Sequence, residues 1–306
     1  MSAGPLITES DVPRSRSGAA ATRGRYPADS TLAVVIPARN ESARIERCLE
    51  RARAALNAAG RGSAELLVVD DASEDGTGAV AAQWGATVLR QPIQRGPLAA
   101  WERGVEATAA SIVVFVDADC ELAPAAIREL LIPFAEPDVG VVSGRAVPLS
   151  LDQGGLLVRR SARFSAELMH QVKLRLVDHD FIPIGRLMAV RREAWKVDDP
   201  EQAPCDRVVA QLARRAGAGI RYAAAAAVGY VPPATPSSLR ADYLRTNLPR
   251  RSLSPVQDRV PWRTLVRAGF TAWTAAPLDG LAWFLCRLGL LTAGMRERGR
   301  GPTEAW

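Results

Sequence analysis

Cysteine, histidine and aromatic residues are scarce in this chain, and each shortage removes a class of function. The four cysteines, Cys48, Cys120, Cys205 and Cys286, lie far apart and form no Cys-x-x-Cys pair. That argues against a zinc site or a disulfide framework and suits a reducing cytoplasm. The two histidines, His170 and His179, come without a Gly-x-Ser-x-Gly turn, which disfavours a Ser-His-Asp hydrolase. Neither Gly-x-x-x-x-Gly-Lys-Ser/Thr nor Gly-x-Gly-x-x-Gly follows the first apolar run, so P-loop and dinucleotide readings fail. Aromatics make up 6% of the chain and form no stacking platform, so nucleic acid is not an expected partner. Residues 1–30 have no long apolar h-region and are rich in Ser, Arg, Ala, Gly and Pro. They read as a disordered tail rather than a secretory leader.

What is present is enough for a full core: 306 residues, 48% hydrophobic. The run Ile112-Val113-Val114-Phe115-Val116 reads as a strand buried on both faces, and Asp117-Ala118-Asp119 follows it directly. Two carboxylates one residue apart in a poorly solvated place repel each other. A hard divalent cation, Mg²⁺ or Mn²⁺, carrying phosphate oxygens removes that cost. The plainer reading is an acidic turn with Asp119 as a helix cap.

Other strand-then-turn junctions surround this one. Val34-Val35-Ile36 runs into Pro37-Ala38-Arg39-Asn40-Glu41, with Ser42 placed to cap a helix through Ile45, Leu49 and Leu56. Leu66-Leu67-Val68-Val69 runs into Asp70-Asp71-Ala72-Ser73-Glu74-Asp75-Gly76-Thr77. Ala86-Thr87-Val88-Leu89 precedes Gln94-Arg95-Gly96-Pro97, and Pro97 suits the first turn of a helix through Leu98, Trp101 and Val105. Strand, turn and helix recurring four times predict a mostly parallel α/β sheet with crossover helices. The polar turns then share one edge, where open α/β sheets bind ligands.

The ordered set Val-Ile-Pro-Ala-Arg-Asn-Glu, Val-Val-Asp-Asp-Ala-Ser-Glu-Asp-Gly-Thr and Val-Asp-Ala-Asp resembles the nucleotide-sugar half of family 2 glycosyltransferases. The resemblance implies a GT-A fold, a Rossmann-type sheet with flanking helices. It is strong over Thr31 to Val147 and weaker over Ile184 to Gly217. It implies a nucleoside-diphosphate sugar donor, a divalent cofactor and an Asp-x-Asp metal motif. Asp119 would ligate the metal, with Asp117 near the ribose and beside the same ion. Asp71 would contact the base, Asp70 would support its loop, and Pro37, Ala38 and Glu41 would line the nucleotide pocket. Arg39 has two readings, phosphate neutralisation or a solvated loop arginine. Gly96 sits where the family often has Gly-Lys, and here Pro97 replaces the lysine.

On the acceptor side, Pro183 to Arg192 resembles the family strand before the catalytic acid, and Gly185 would admit close approach of backbone to sugar; a β-bulge is the competing reading. Asp206 would be the general base. Cys205 precedes it where family members commonly carry Glu, and capping by Asp206 is the rival role. His170 reads as a structural or surface residue, and His179 as a solvated loop residue.

The division expected is a tail over 1–30, a GT-A catalytic domain over 31–231 and a basic helical region over 232–306. The catalytic domain comprises a nucleotide-sugar half over 31–147 and an acceptor half over 148–231. Between Leu239 and Gly301 eleven arginines face four acids, a surplus of seven that accounts for the whole net charge of +6. Arg250 and Arg251 would clamp phosphate or simply end a basic helix. The apolar stretch from Phe270 to Met295 is broken by Pro277, Asp279, Gly280, Arg287 and Gly289, so a spanning helix is not expected. An amphipathic segment at the inner face of a membrane fits it, and so does packing on the core or a dimer contact. The leading expectation is a cytoplasmic, metal-dependent, inverting glycosyltransferase acting on an acceptor hydroxyl, lipid-linked or glycan. Its rivals are a retaining GT-A transferase, a nucleotidyltransferase, and a non-catalytic nucleotide-sugar-binding or membrane-adaptor protein.

Overall fold

The computed structural model describes residues 30–149, 155–176, 183, 185–196, 205–232, 235, 237 and 262–286. The first 29 residues, His179, Arg250, Arg251 and most of the basic region expected over 232–306 lie outside them.

An eight-stranded sheet runs in the order β3-β2-β1-β4-β7-β6-β8-β5. Its strands are β1 (Leu32–Ala38), β2 (Glu65–Asp70), β3 (Thr87–Arg90), β4 (Ile112–Val116), β5 (Cys120–Leu122), β6 (Val139–Pro148), β7 (Leu187–Arg191) and β8 (Gly219–Tyr230). β3, β2, β1 and β4 pair in parallel, with Ala38 opposite Asp70 and Asp70 opposite Arg90. The C-terminal ends of β1, β2 and β4 therefore share one edge, as the recurring junctions predict. The other half turns antiparallel: β4 with β7, β7 with β6, and β5 with β8. Residues 117–119 lead into the short strand β5, not directly into a helix.

Helices α1 (Ile45–Ala58), α2 (Thr77–Gln83), α3 (Pro97–Glu106), α4 (Ala126–Leu131) and α6 (Cys205–Arg215) alternate with these strands, and Pro97 opens α3 as expected. Ser42 does not cap α1. That helix starts at Ile45, its first turn held by the Glu41 carbonyl, which accepts from the Arg44 and Ile45 amides (2.9 and 2.8 Å). The Ser42 amide instead donates to Asp75 Oδ2 at 3.0 Å.

Every side chain of β4 is buried, as its uninterrupted apolar run requires. On one face Phe115 is sandwiched between Trp101 and Trp195, with ring centroids 4.9 and 5.0 Å apart. Such contacts add roughly 0.5–1.5 kcal/mol each beyond area burial. Gly104 of α3 lies so close to β1 that a Cβ there would sit 2.3 Å from Val35 Cγ1.

Compactness divides the chain into two units. The first holds the sheet, over residues 1–147, 176–230 and 252–259; the second comprises 148–175, 231–251 and 260–306. Helix α5 (Leu156–Arg175) belongs to the second unit, with α7 (Trp262–Ala275) and a helical run over 277–286. Phe164 of α5 is its hub, edge-on to Trp273 and tilted against Trp283.

Gly104→Ala should cost about 1–3 kcal/mol by overpacking the α3–β1 seam. Urea denaturation reads the loss, and adding Val35→Ala should recover part of it.

Candidate active site

The ends of β1 and β2 are laced together before any ligand is considered. The Asn40 amide donates to Ser73 Oγ (3.1 Å), the Glu41 amide to Thr77 Oγ1 (2.8 Å) and the Glu74 amide to Asn40 Oδ1 (2.9 Å). The Asp71 amide donates to the Ala38 carbonyl (2.9 Å). Hydrogen bonds from Thr77 and Ser42 hold the Asp75 carboxyl well below its ordinary range. Asn40 and Ala72 adopt positive φ (53° and 58°), the backbone cost of bringing the two turns edge to edge.

Asp70 and Asp71 do different work. Asp70 is fully buried, accepting from the Ser73 amide (2.8 Å) and pairing with Arg90 Nη1 (2.7 Å). It builds the turn. Asp71 reaches the other way: Oδ1 accepts from Gln91 Nε2 (3.0 Å) and the Arg95 amide (2.7 Å), and Oδ2 from the Gly96 amide (2.8 Å). A carboxylate has about four acceptor positions, so one more donor can be taken. Gly96 holds φ at 89°, a conformation that favours glycine. Pro37 is half-buried, Ala38 buried and Arg39 exposed beside this turn.

At the end of β4, oxygens of Asp117 and Asp119 and the Cys120 sulfur lie within 4.8 Å of one another. Both carboxylates are partly exposed and Cys120 is buried. Glu41 lies close enough to Asp119 to feel its charge. Burial pushes its carboxyl above the ordinary Glu range, Arg44 (2.7 Å) pulls it back, and Asp119 and Asp75 push it up again. Burial, with Asp119 and Asp117 adding to it, also drives the Cys48 and Cys120 thiols upward, so both remain neutral. Two hard oxygen donors beside a third carboxylate fit Mg²⁺ or Mn²⁺.

Sequence reasoning assigned no role to Arg186. Its carbonyl accepts from the Asp117 amide (3.4 Å), and its guanidinium stacks 4.2 Å above the Tyr230 ring, itself paired across the ladder with Cys120. Burial works against this charge, but Tyr230, Cys120, Asp117 and Asp119 outweigh it, so the guanidinium is held above its ordinary value. The adjoining Gly185 was the only signal of this turn.

Gly185 and Asp206 come together. A Cβ on Gly185 would lie 3.4 Å from Trp101 Cη2 and 3.9 Å from Asp206 Cγ, ordinary contacts at a φ outside the left-handed region. The protein's own packing thus does not demand glycine here. Trp101 is buried, and among the described residues its indole N–H has no hydrogen-bond partner. Asp206 lies half-buried in the first turn of α6, where the helix dipole favours a carboxylate.

The model of the family described as "Glycosyl transferase family 2" matches residues 33–197, more than half of the chain. The chain belongs to family 2 of the glycosyltransferases. The glycosyltransferase AglE of Haloferax volcanii is 28% identical over 139 residues, 44% of this chain and 45% of AglE. The pre-mycofactocin glycosyltransferase of Mycobacterium tuberculosis is 25% identical over 213 residues, 67% of this chain and 43% of that protein. The chain thus spans less than half the length of these relatives. Among solved structures, a mannosyltransferase of Pyrobaculum calidifontis in complex with GDP-Man and Mn²⁺ shares the fold, with TM-score 0.57 and 19% identity. That match covers 88% of this chain and 79% of the other. The sheet is accordingly of the GT-A type.

Asp71→Ala should release the loop before α3 without unfolding the sheet. Hydrogen exchange should accelerate at the Arg95 and Gly96 amides while the β4 amides keep their protection.

Proposed function

We propose that the chain transfers a sugar from a nucleoside-diphosphate donor to an acceptor hydroxyl, with inversion. The observation that carries this reading is the Gly185–Arg186 turn. The Arg186 carbonyl accepts from the Asp117 amide, and the neighbouring Gly185 lies close to Asp206. Single displacement requires a leaving-group site on one side of the sugar and a proton acceptor on the other.

Asp119 with Asp117 would hold Mg²⁺ or Mn²⁺, which when bound offsets the charge of the departing diphosphate. Asp71, with one acceptor position left, takes an N–H of the base, while Asp70 fixes its turn. Pro37, Ala38, Glu41 and Gly96 line the nucleotide. Arg39, and Arg250 and Arg251 outside the described residues, supply positive charge toward phosphate. Asp206 accepts the proton of the acceptor hydroxyl as its oxygen attacks the anomeric carbon and the bond to the diphosphate oxygen breaks. The domain reading retains a nucleotide-sugar half and an acceptor half, the acceptor being lipid-linked or glycan and the working side the cytoplasmic face.

Thermal-shift titration with UDP-, GDP- and dTDP-sugars, with and without Mn²⁺, should find one nucleotide whose stabilisation depends on the ion. Asp119→Ala should abolish that dependence. Asp206→Asn should leave it intact and lower transfer about 10²–10⁴-fold. Ion-independent binding with no turnover would instead favour a binding protein, and a retained anomer in the product would overturn inversion.

Gly185→Ala separates a ligand's need for space from the fold's. The melting temperature should stay unchanged while the acceptor KM rises about ten- to a hundredfold, the penalty of one misplaced methyl.

A further inference from the structure

Within the second compact unit, α7 and the run 277–286 turn large apolar residues outward. In α7 Ala268 and Ala272 are fully buried, while Leu265, Val266 and Phe270 are exposed, Phe270 to 72%; Trp273, partly exposed, packs against Phe164. The run 277–286 repeats the pattern: Ala282 and Gly280 are buried, and Leu278, Leu281, Phe284 and Leu285 are exposed. A Cβ on Gly280 would strike the Trp273 ring at 2.5 Å, so the small residues are what let the two helices close on each other. A water-facing helix hides its large apolar residues and shows polar ones. Small residues at helix contacts with large ones outside is the arrangement of helices solvated by lipid. Exposed apolar surface of this extent on one helical unit marks an interaction face.

Charge names the occupant. Among the described residues the second unit carries seven Lys and Arg against two Asp and Glu, a surplus of five. Exposed Arg263 and Arg267 border the α7 stripe on the side of Phe270. Among the described residues no helix is long and apolar enough to cross a membrane. A basic, aromatic-bearing apolar face that does not span fits the headgroup plane of an anionic bilayer.

We propose that α7 and the run 277–286 dock the chain on an anionic lipid surface, the two apolar stripes entering the headgroup–acyl boundary with Arg263 and Arg267 at phosphate level. This stands apart from the sugar-transfer reading, since neither stripe contains a residue of the candidate site. The test is flotation of the full chain with vesicles of phosphatidylcholine alone or mixed with phosphatidylglycerol. Binding should require the anionic lipid and weaken with salt. Arg263→Gln/Arg267→Gln should weaken it about fivefold per arginine. Phe270→Glu/Leu285→Glu should abolish it, and both substituted residues are exposed, so melting temperature and nucleotide-dependent stabilisation should not change. Flotation that is absent, or indifferent to Phe270→Glu/Leu285→Glu, would overturn the proposal. So would light scattering that finds a dimer which this variant splits, since a second copy would then cover the face.

Discussion

Two carboxylates at the end of a wholly buried strand are the constraint around which the sheet's ligand edge is organised. At separations within 4.8 Å, Asp117 and Asp119 repel by at least about 3.5 kcal/mol at an effective dielectric of ~20, before solvent screening reduces it. Burial keeps the neighbouring Cys48 and Cys120 as neutral thiols, while burial and Asp119 raise the Glu41 carboxyl and Arg44 pulls it back. The Arg186 guanidinium is stacked on Tyr230 nearby. A divalent cation held by Asp117 and Asp119 would relieve their remaining repulsion.

The edge formed by the ends of β1 and β2 is assembled before any ligand binds. Side chains from the turn after β2 satisfy amides in the turn after β1, and Asn40 answers in return. Asp71 extends the chain of contacts to the loop before α3. Three loops that would face the proposed nucleotide are already ordered by each other, so less conformational entropy would be lost on binding.

How far the sequence could be read followed from how local each signal was. The parallel half was legible because each unit, such as Leu66 to Val69 with Asp70 to Thr77, carries strand and turn within a dozen residues. The antiparallel half was not. Cys120 pairs with Tyr230, and Val116 with Leu187, across gaps that periodicity cannot bridge. Ser42 had the right chemistry for a cap, but Asp75, 33 residues on, claimed its amide. Arg186 was hidden because an arginine after a glycine has no signature until Tyr230 is brought beneath it. The grouping of α5 with α7 rests on Phe164 meeting Trp273 and Trp283, contacts between residues more than a hundred positions apart.

The opposite duties of Asp70 and Asp71 limit how this turn can change over generations. Successive residues of an extended strand face opposite ways, so losing or gaining one residue within β2 would swap the directions in which the two buried acids point. Arg90 and Ser73 would then meet the wrong carboxylate, and Gly96 would meet none. Length variation among descendants of this chain is therefore expected at the remote β2 entrance, around Gly60 to Ser63, and not between Leu66 and Thr77.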